Sequence, residues 1–216
     1  MIYRCRFICL FLALFTITNI QAQQKRLNFE VEGGISRYQS NEINGIFPLG
    51  INLFFGPKWV IGTAERIYIK GSIGIKWHFH NLDDNFTEHL ATLRGGPEFQ
   101  YEAFTWGDMV LIPTFKLDFA WCTNFDTQGN IYDAINDEFV NVHSEDYMSG
   151  WGLGRELGLK VEIKRRWYLR TSFELFRPRL VVRNTVIQGD MGASYIHLPA
   201  KSFNLNSFNL TIGFNI

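Results

Sequence analysis

From Arg66 to His80 the chain alternates, with Ile67, Ile69, Ile73, Ile75, Trp77 and Phe79 at odd positions and Arg66, Tyr68, Lys70, Ser72, Lys76, His78 and His80 at even ones. A period of two held over about seven alternations describes a β-strand with one apolar and one polar face. The run exceeds the ~5–6 residues usual in soluble strands. It suits a tilted strand crossing a membrane, which needs roughly 9–11 residues.

The pattern recurs. Leu27, Phe29 and Val31 alternate with Asn28, Glu30 and Glu32, and Phe47, Leu49, Ile51, Leu53 and Phe55 with Gly50 and Asn52. Further stripes run through Leu93 to Ala103, Met109 to Cys122, Trp151 to Ile163, Trp167 to Leu175 and Phe208 to Ile216, which makes eight predicted strands. Phe203 and Leu205 have the opposite parity to Phe208, so a bulge or a strand start is expected near Asn206.

Connection lengths alternate as well. Phe104 to Asp108 and Lys164 to Arg166 are tight and Gly56 to Ala64 is moderate, whereas Phe79 to Leu90, Phe125 to Gly150 and about Leu180 to Lys201 are long. With a periplasmic amino terminus, every short connection falls on the periplasmic side and every long one outside, the asymmetry of an outer-membrane barrel. The predicted fold is all-β: an eight-stranded antiparallel up-and-down transmembrane β-barrel. Trp59, Trp106 and Trp167 sit beside the short turns and Trp77, Trp121 and Trp151 at the opposite strand ends, where an aromatic girdle is expected. Alternation alone does not say which face is inside, and a soluble lipocalin-like barrel would turn the apolar stripe inward. Charges of both signs on the polar stripe, and the breadth of the Phe and Ile stripe, favour lipid outside.

The amino terminus supports export. Arg4 and Arg6 precede an apolar stretch from Phe7 to Ile20, with a cut expected after Ala22, so residues 1–22 read as a cleaved signal peptide and 23–216 as one barrel domain. The expected location is the outer membrane of a Gram-negative bacterium, both termini periplasmic. Cys5 and Cys9 leave with the leader, Cys122 stays alone, and no intramolecular disulfide is available to the mature chain. A formal net charge of zero argues against a general nucleic-acid binder.

The chain after the leader resembles the small eight-stranded outer-membrane β-barrel families, the group that includes the transmembrane domain of OmpA and the porin-like barrel proteins. Its last residues, Phe208, Leu210, Ile212, Phe214 and Ile216, resemble the terminal signal read by the barrel assembly machinery, departing from the commonest form by ending in Ile216 instead of an aromatic residue. The resemblance implies that machinery as a partner in biogenesis, with outer-membrane lipid and lipopolysaccharide as surroundings. It implies no cofactor and carries no catalytic residue across.

The polar stripes place Glu30, Glu32, Arg66, Lys70, Lys76, Arg94, Glu98, Glu102, Lys116, Asp118, Glu156, Lys160, Glu162, Arg170 and Glu174 in the bore. Such groups must be paired or hydrated, because an isolated buried charge is very costly. A structural plug and a narrow polar conduit both satisfy that condition, in a bore only just wide enough for its own side chains. His78, His80, His89, His143 and His197 all fall at the outer strand ends or in the outer loops. Polar residues belong in solvated loops anyway, so no metal site is expected. Arg155, Arg177 and Arg179 share the lipid-facing parity, and the tight turn at Lys164 to Arg166 would bring them together to contact lipid A phosphates.

Gly150, Gly152, Gly154 and Gly158 recur at even spacing on one strand with no helix after them, and read as room for bulky neighbours instead of a phosphate loop. Gly95-Gly96-Pro97 reads as a bend or bulge. Ser194, His197 and Ser202 lack an acid partner in any hydrolase motif. The expected function is therefore non-enzymatic, structural or surface-binding through the loops at 125–150 and 180–201. A narrow porin-like channel is the alternative, followed by a lipid A-modifying membrane enzyme.

Overall fold

A computed structural model describes residues 28–40, 47–61, 65–83, 86–133, 138–144, 148–184, 196–197 and 200–216. The predicted signal peptide lies outside these residues. The strands are β1 Asn28–Tyr38, β2 Leu49–Ile61, β3 Ile67–Asp83, β4 Phe86–Tyr101, β5 Phe104–Trp106, β6 Met109–Asp133, β7 Glu138–Ser144, β8 Met148–Ile163, β9 Trp167–Phe176, β10 Arg179–Asn184, β11 Ile196–His197, β12 Lys201–Ser202 and β13 Ser207–Asn215.

Every pairing is antiparallel, and eight of the strands close into a ring: β1, β2, β3, β4, β6, β8, β9 and β13, with β13 returning to β1. The seam runs from Glu30 opposite Asn215 to Tyr38 opposite Ser207. Phe29 and Ile216 extend it by exchanging backbone hydrogen bonds of 3.2 and 2.7 Å. A closed ring leaves no open edge, which is what a β-structure in hydrocarbon requires.

The short pieces β10 and β12 continue the wall. Gly154 pairs with Phe176 and Trp151 with Arg179, so the register carries through residues 177 and 178, where Pro178 has no N–H to donate. On the other side, Phe203 N–H donates to the Pro178 carbonyl (3.1 Å) and Leu205 N–H to that of Phe176 (3.0 Å), bridging β12 to β13. In the β8–β9 turn, Lys164 and Arg165 hold φ of 52° and 56°. Left-handed turns of this hand match the twist of a tight hairpin, and the cost for non-glycine residues is borne by the ladder on either side.

Two of the connections expected to be loops are instead largely strand. β3 and β4 run on through Phe79 to Leu90, and β6 spans 25 residues to Asp133 before β7 returns along it. These stretches pair by backbone hydrogen bonds. The period-two hydrophobic signal fades there while the ladder continues.

The apolar stripe is on the outside. Leu53, Ile73, Leu93, Phe119, Leu157, Leu169 and Ile212 are exposed on the wall, whereas Glu30, Lys70, Glu98, Lys160 and Arg170 are buried within it. This removes the lipocalin-like alternative. Trp121 pairs with Trp151, their rings 6.2 Å apart, and Phe119 stacks on Trp151 at 4.9 Å. At the end that carries the termini, Trp167 lies 5.5 Å from Phe214, Trp106 pairs with Met109 and Trp59 with Ile69. Trp77, at the far end, pairs with Ala91.

A cation in the middle of this wall would meet acyl chains. Ile73→Arg is expected to destabilise the barrel by about 2–4 kcal/mol, and Ile73→Leu to change it little. Urea titration of folding into phospholipid vesicles checks both. Equal midpoints for the Arg and Leu variants would contradict a lipid-facing position.

Candidate functional site

Because side chains alternate, one residue in two along each barrel strand projects into the bore. Nearest the termini lies a dense ion-pair cluster. Glu30 accepts from Lys58 (3.0 Å) and Lys160 (2.5 Å) and lies 3.3 Å from Lys70. Lys70 also meets Glu32 at 3.2 Å. Arg170 spans three strands: it donates to Glu32 (3.0 Å) and Glu98 (3.1 Å), and through its other terminal nitrogen to Glu156. Gln100 ties the cluster together by donating to Glu30 (3.1 Å) and Glu98 (2.8 Å). Tyr168 fills the centre beneath Lys160, whose ammonium sits 3.9 Å from the ring centroid, and Glu162 stands 3.5 Å from the same lysine. Gly213 leaves room for that ring, since a Cβ there would come within 2.4 Å of it.

Further along, Lys76 donates to Glu174, Ser207 (3.1 Å) and Asn209 (2.7 Å). Arg94 joins Asp118 (2.9 Å) to Glu174, and Lys116 meets Asp118 at 3.3 Å while lying 3.8 Å over the Phe54 ring. Among the described residues, eight buried carboxylates face seven buried cations. Arg165, half exposed on the β8–β9 turn, reaches in to Glu102 as an eighth cation.

Towards the far end the interior changes character. Tyr38, Phe47, Leu90, Ala120, Cys122, Met148, Phe176, Leu180 and Leu205 form a buried apolar cluster, with Phe203 against it. His78 bridges the two zones: its ring stacks on Tyr38 at 4.0 Å and its Nε2 is 2.9 Å from Ser36 Oγ. Among the described residues the bore is thus filled first by ion pairs and then by hydrocarbon. Lys70, Lys160, Leu90 and Leu180 are each 0 % exposed, so a water-sized sphere does not reach them.

The sequence-predicted residues fall as follows. Glu30, Glu32, Lys70, Lys76, Arg94, Glu98, Glu102, Lys116, Asp118, Glu156, Lys160, Glu162, Arg170 and Glu174 are buried together. Arg66 is not among them: it precedes β3 and is exposed, because the inward stripe of that strand begins at Tyr68. Lys58 was missed because residues 56–64 read as a turn, whereas β2 continues to Ile61 and keeps Lys58 on the inward parity. Arg165 was missed because a turn residue has no parity.

Cys122 belongs to the apolar cluster, with Thr92 Oγ1 3.6 Å from its sulfur. The parity break at Phe203 and Leu205 has a different meaning. β13 does start at Ser207, but Leu205, Ser207, Asn209 and Thr211 are all buried on the inward face, so the interior changes polarity and the strand keeps its face. His78 faces inward, and His89 accepts from the exposed indole of Trp77 at 3.2 Å. The side chains of His80, His143 and His197, and all of Ser194, lie outside the described residues. Ser202 is exposed on β12, and Arg155, Arg177 and Arg179 are exposed on the wall.

No family model and no curated protein matches this sequence. Among solved structures, the outer membrane protein OprG from Pseudomonas aeruginosa is similar at a TM-score of 0.53 and 11% identity, covering 89% of this chain and 97% of that one. A major outer membrane protein from Thermus thermophilus also scores 0.53 at 11% identity, covering 88% and 99%. The fold is that of the small eight-stranded outer-membrane β-barrels. In such a transmembrane barrel the outer wall meets lipid, and the bore must satisfy its own charges.

Two outcomes follow. Arg170→Ala strands three carboxylates and is expected to cost about 3–5 kcal/mol, the range for breaking a buried pair. The temperature at which the folded form disappears on unheated versus heated gels checks it, and an unchanged temperature would mean the cluster does not hold the strands together. At the rim, burial pushes the Glu102 carboxyl up, but hydrogen bonds from Arg165 and Tyr68 outweigh it and hold the group below its ordinary value. A lowered carboxyl stabilises the fold above its unfolded-state pKa and loses that contribution as pH falls through the folded-state value. Wild type should therefore exceed Arg165→Ala by up to about 1 kcal/mol at neutral pH, the scale of a partly exposed pair, and the gap should close in acid. Unfolding titrations at both pH values test the sign.

Proposed function

We propose that this chain is a non-enzymatic, non-conducting outer-membrane barrel that anchors and displays a β-structured surface outside the cell. The observation that carries this reading is the doubly filled bore. A conduit needs a continuous wet path, and side chains at the heart of each cluster, Lys70 and Lys160 in the ionic one and Leu90 and Leu180 in the apolar one, are 0 % exposed. The lengths of β3 and β6, 17 and 25 residues, support the second half of the reading. A tilted span needs roughly 9–11 residues, so the remainder of β3, β4, β6 and β7 stands beyond the girdle as a paired sheet. Rigid scaffolds with elaborated ends commonly carry recognition there. In this reading both termini are periplasmic and the long hairpins face outward.

The narrow-channel alternative would require the salt bridges and the Phe176–Leu180–Leu205 cluster to part together. The pure protein in planar bilayers is expected to show no stepwise conductance, and a reproducible unit conductance would overturn the non-conducting reading. Orientation is tested separately. An epitope inserted at residues 134–137, between β6 and β7, should bind antibody on intact cells. Binding only after permeabilisation would reverse the assignment of the two ends.

A further inference from the structure

The described outer wall is largely apolar, with Arg37 on β1 and Thr171 on β9 exposed singly and one cluster of arginines on and beside β8 and β10. Arg155 on β8 pairs with Leu175, and Arg179 on β10 pairs with Trp151. The unbroken register places Arg177 opposite Leu153, on the row between. Three guanidinium groups thus occupy three successive outward rows of one ladder. Outward neighbours two apart on a strand are separated by about 7 Å, and diagonal partners across a pair by roughly 7–8 Å. Side chains as long as arginine can converge from such spacing on one anion.

The third strand of the cluster was not legible in the sequence, which read residues 180–201 as loop and stopped there. Ser202 pairs with Arg179 on the side away from Trp151, and the continuing ladder sets Asn204 beside Arg177. Both are exposed, so two neutral hydrogen-bonding side chains flank the arginines.

The arginines differ from every cation inside the barrel. The lumenal lysines and arginines are ion-paired, whereas Arg155, Arg177 and Arg179 are exposed and none is ion-paired among the described residues. Around them the wall is strongly apolar: Leu153, Leu157, Leu175 and Trp151 all face outward and exposed. Charge on a lipid-facing wall is tolerated near the headgroups and costly deeper. Trp151, across from Arg179, marks the headgroup level. The complementary ligand therefore has anionic groups at headgroup height, matched by planar guanidinium forks, and acyl chains that lie along the leucines.

We propose that Arg155, Arg177 and Arg179, assisted by Ser202 and Asn204, bind the phosphates of a lipid A-type glycolipid in the outer leaflet. The proposal rests on the orientation given under Proposed function, which puts this end of the wall in that leaflet. A phosphorylated, multiply acylated disaccharide supplies both features at once: phosphates for the forks and chains for Leu153 and Leu175.

The test uses the whole barrel in detergent, wild type and the Arg155→Ala/Arg177→Ala/Arg179→Ala variant, each first shown to keep heat-modifiable gel migration. Native mass spectrometry then measures binding of lipid A, of enzymatically dephosphorylated lipid A and of phosphatidylglycerol. Wild type should bind lipid A at least about tenfold more tightly than the triple variant, since each charge-assisted hydrogen bond lost is alone enough for that order of change. Dephosphorylated lipid A should bind wild type and variant alike. A Ser202→Ala/Asn204→Ala variant should weaken lipid A binding by a smaller factor.

Equal lipid A binding by wild type and the triple variant would overturn the site, as would indifference to dephosphorylation. Phosphatidylglycerol that binds as tightly as lipid A and is lost equally in the triple variant would overturn the assignment to lipid A. The epitope experiment separates the two failures. A tag accessible on intact cells, with no arginine-dependent lipid A binding, sinks the site alone, whereas a periplasmic tag sinks the orientation beneath it.

Discussion

Closure of the strand ring is the constraint on which the rest of this molecule depends. Hydrocarbon offers backbone N–H and C=O groups no partner, so a sheet that crosses it must leave no edge. The seam between β1 and β13, finished by the exchange between Phe29 and Ile216, meets that condition. Once the ring is closed, each strand has one face on lipid and one in a narrow bore. The apolar stripe is then committed to the outside, and the polar stripe has nowhere to go but inward.

An eight-stranded bore is only just wide enough for side chains, and that explains the near balance of charge within it. Each buried ion needs a counter-ion at hydrogen-bonding distance, because desolvating it alone costs several kcal/mol. Arg170 illustrates the solution. Its fork reaches carboxylates from β1, β4 and β8, cross-linking strands that are not neighbours in the ladder. Where the ionic cluster stops, the interior turns apolar, and the transition falls at His78, which packs against Tyr38 and bonds to Ser36. A barrel filled this way acts as a solid post. The proposed role in display, in preference to transport, rests on that filling.

The same argument applied to the outside isolates the arginines at 155, 177 and 179, on and beside β8, β9 and β10. Inside, every cation is answered by a carboxylate of this chain. Outside, Arg155, Arg177 and Arg179 are exposed among leucines, at the level where Trp151 meets Arg179 across the ladder. In the proposal made for this patch, the protein supplies half of an electrostatic arrangement and the glycolipid phosphates the other half.

How far the sequence reached is clear from particular residues. Alternation from Ile67 to Phe79 determined a strand with one apolar and one polar face, because a period of two is a local property of the extended backbone. The same parity determined that Lys70, Glu98 and Arg170 share an interior. Parity says nothing of a partner across the bore, so the bonding of Arg170 to Glu32, Glu98 and Glu156 was left to the tertiary structure. It fails where the medium on one face changes: Leu205 and Cys122 lie in an interior that has itself become apolar. Turn residues such as Arg165 carry no parity at all. By itself, then, the sequence determined the barrel and the identity of its two faces. Ring closure decided which distant charges meet and where the polar filling ends, because those outcomes depend on strands brought together across the cylinder.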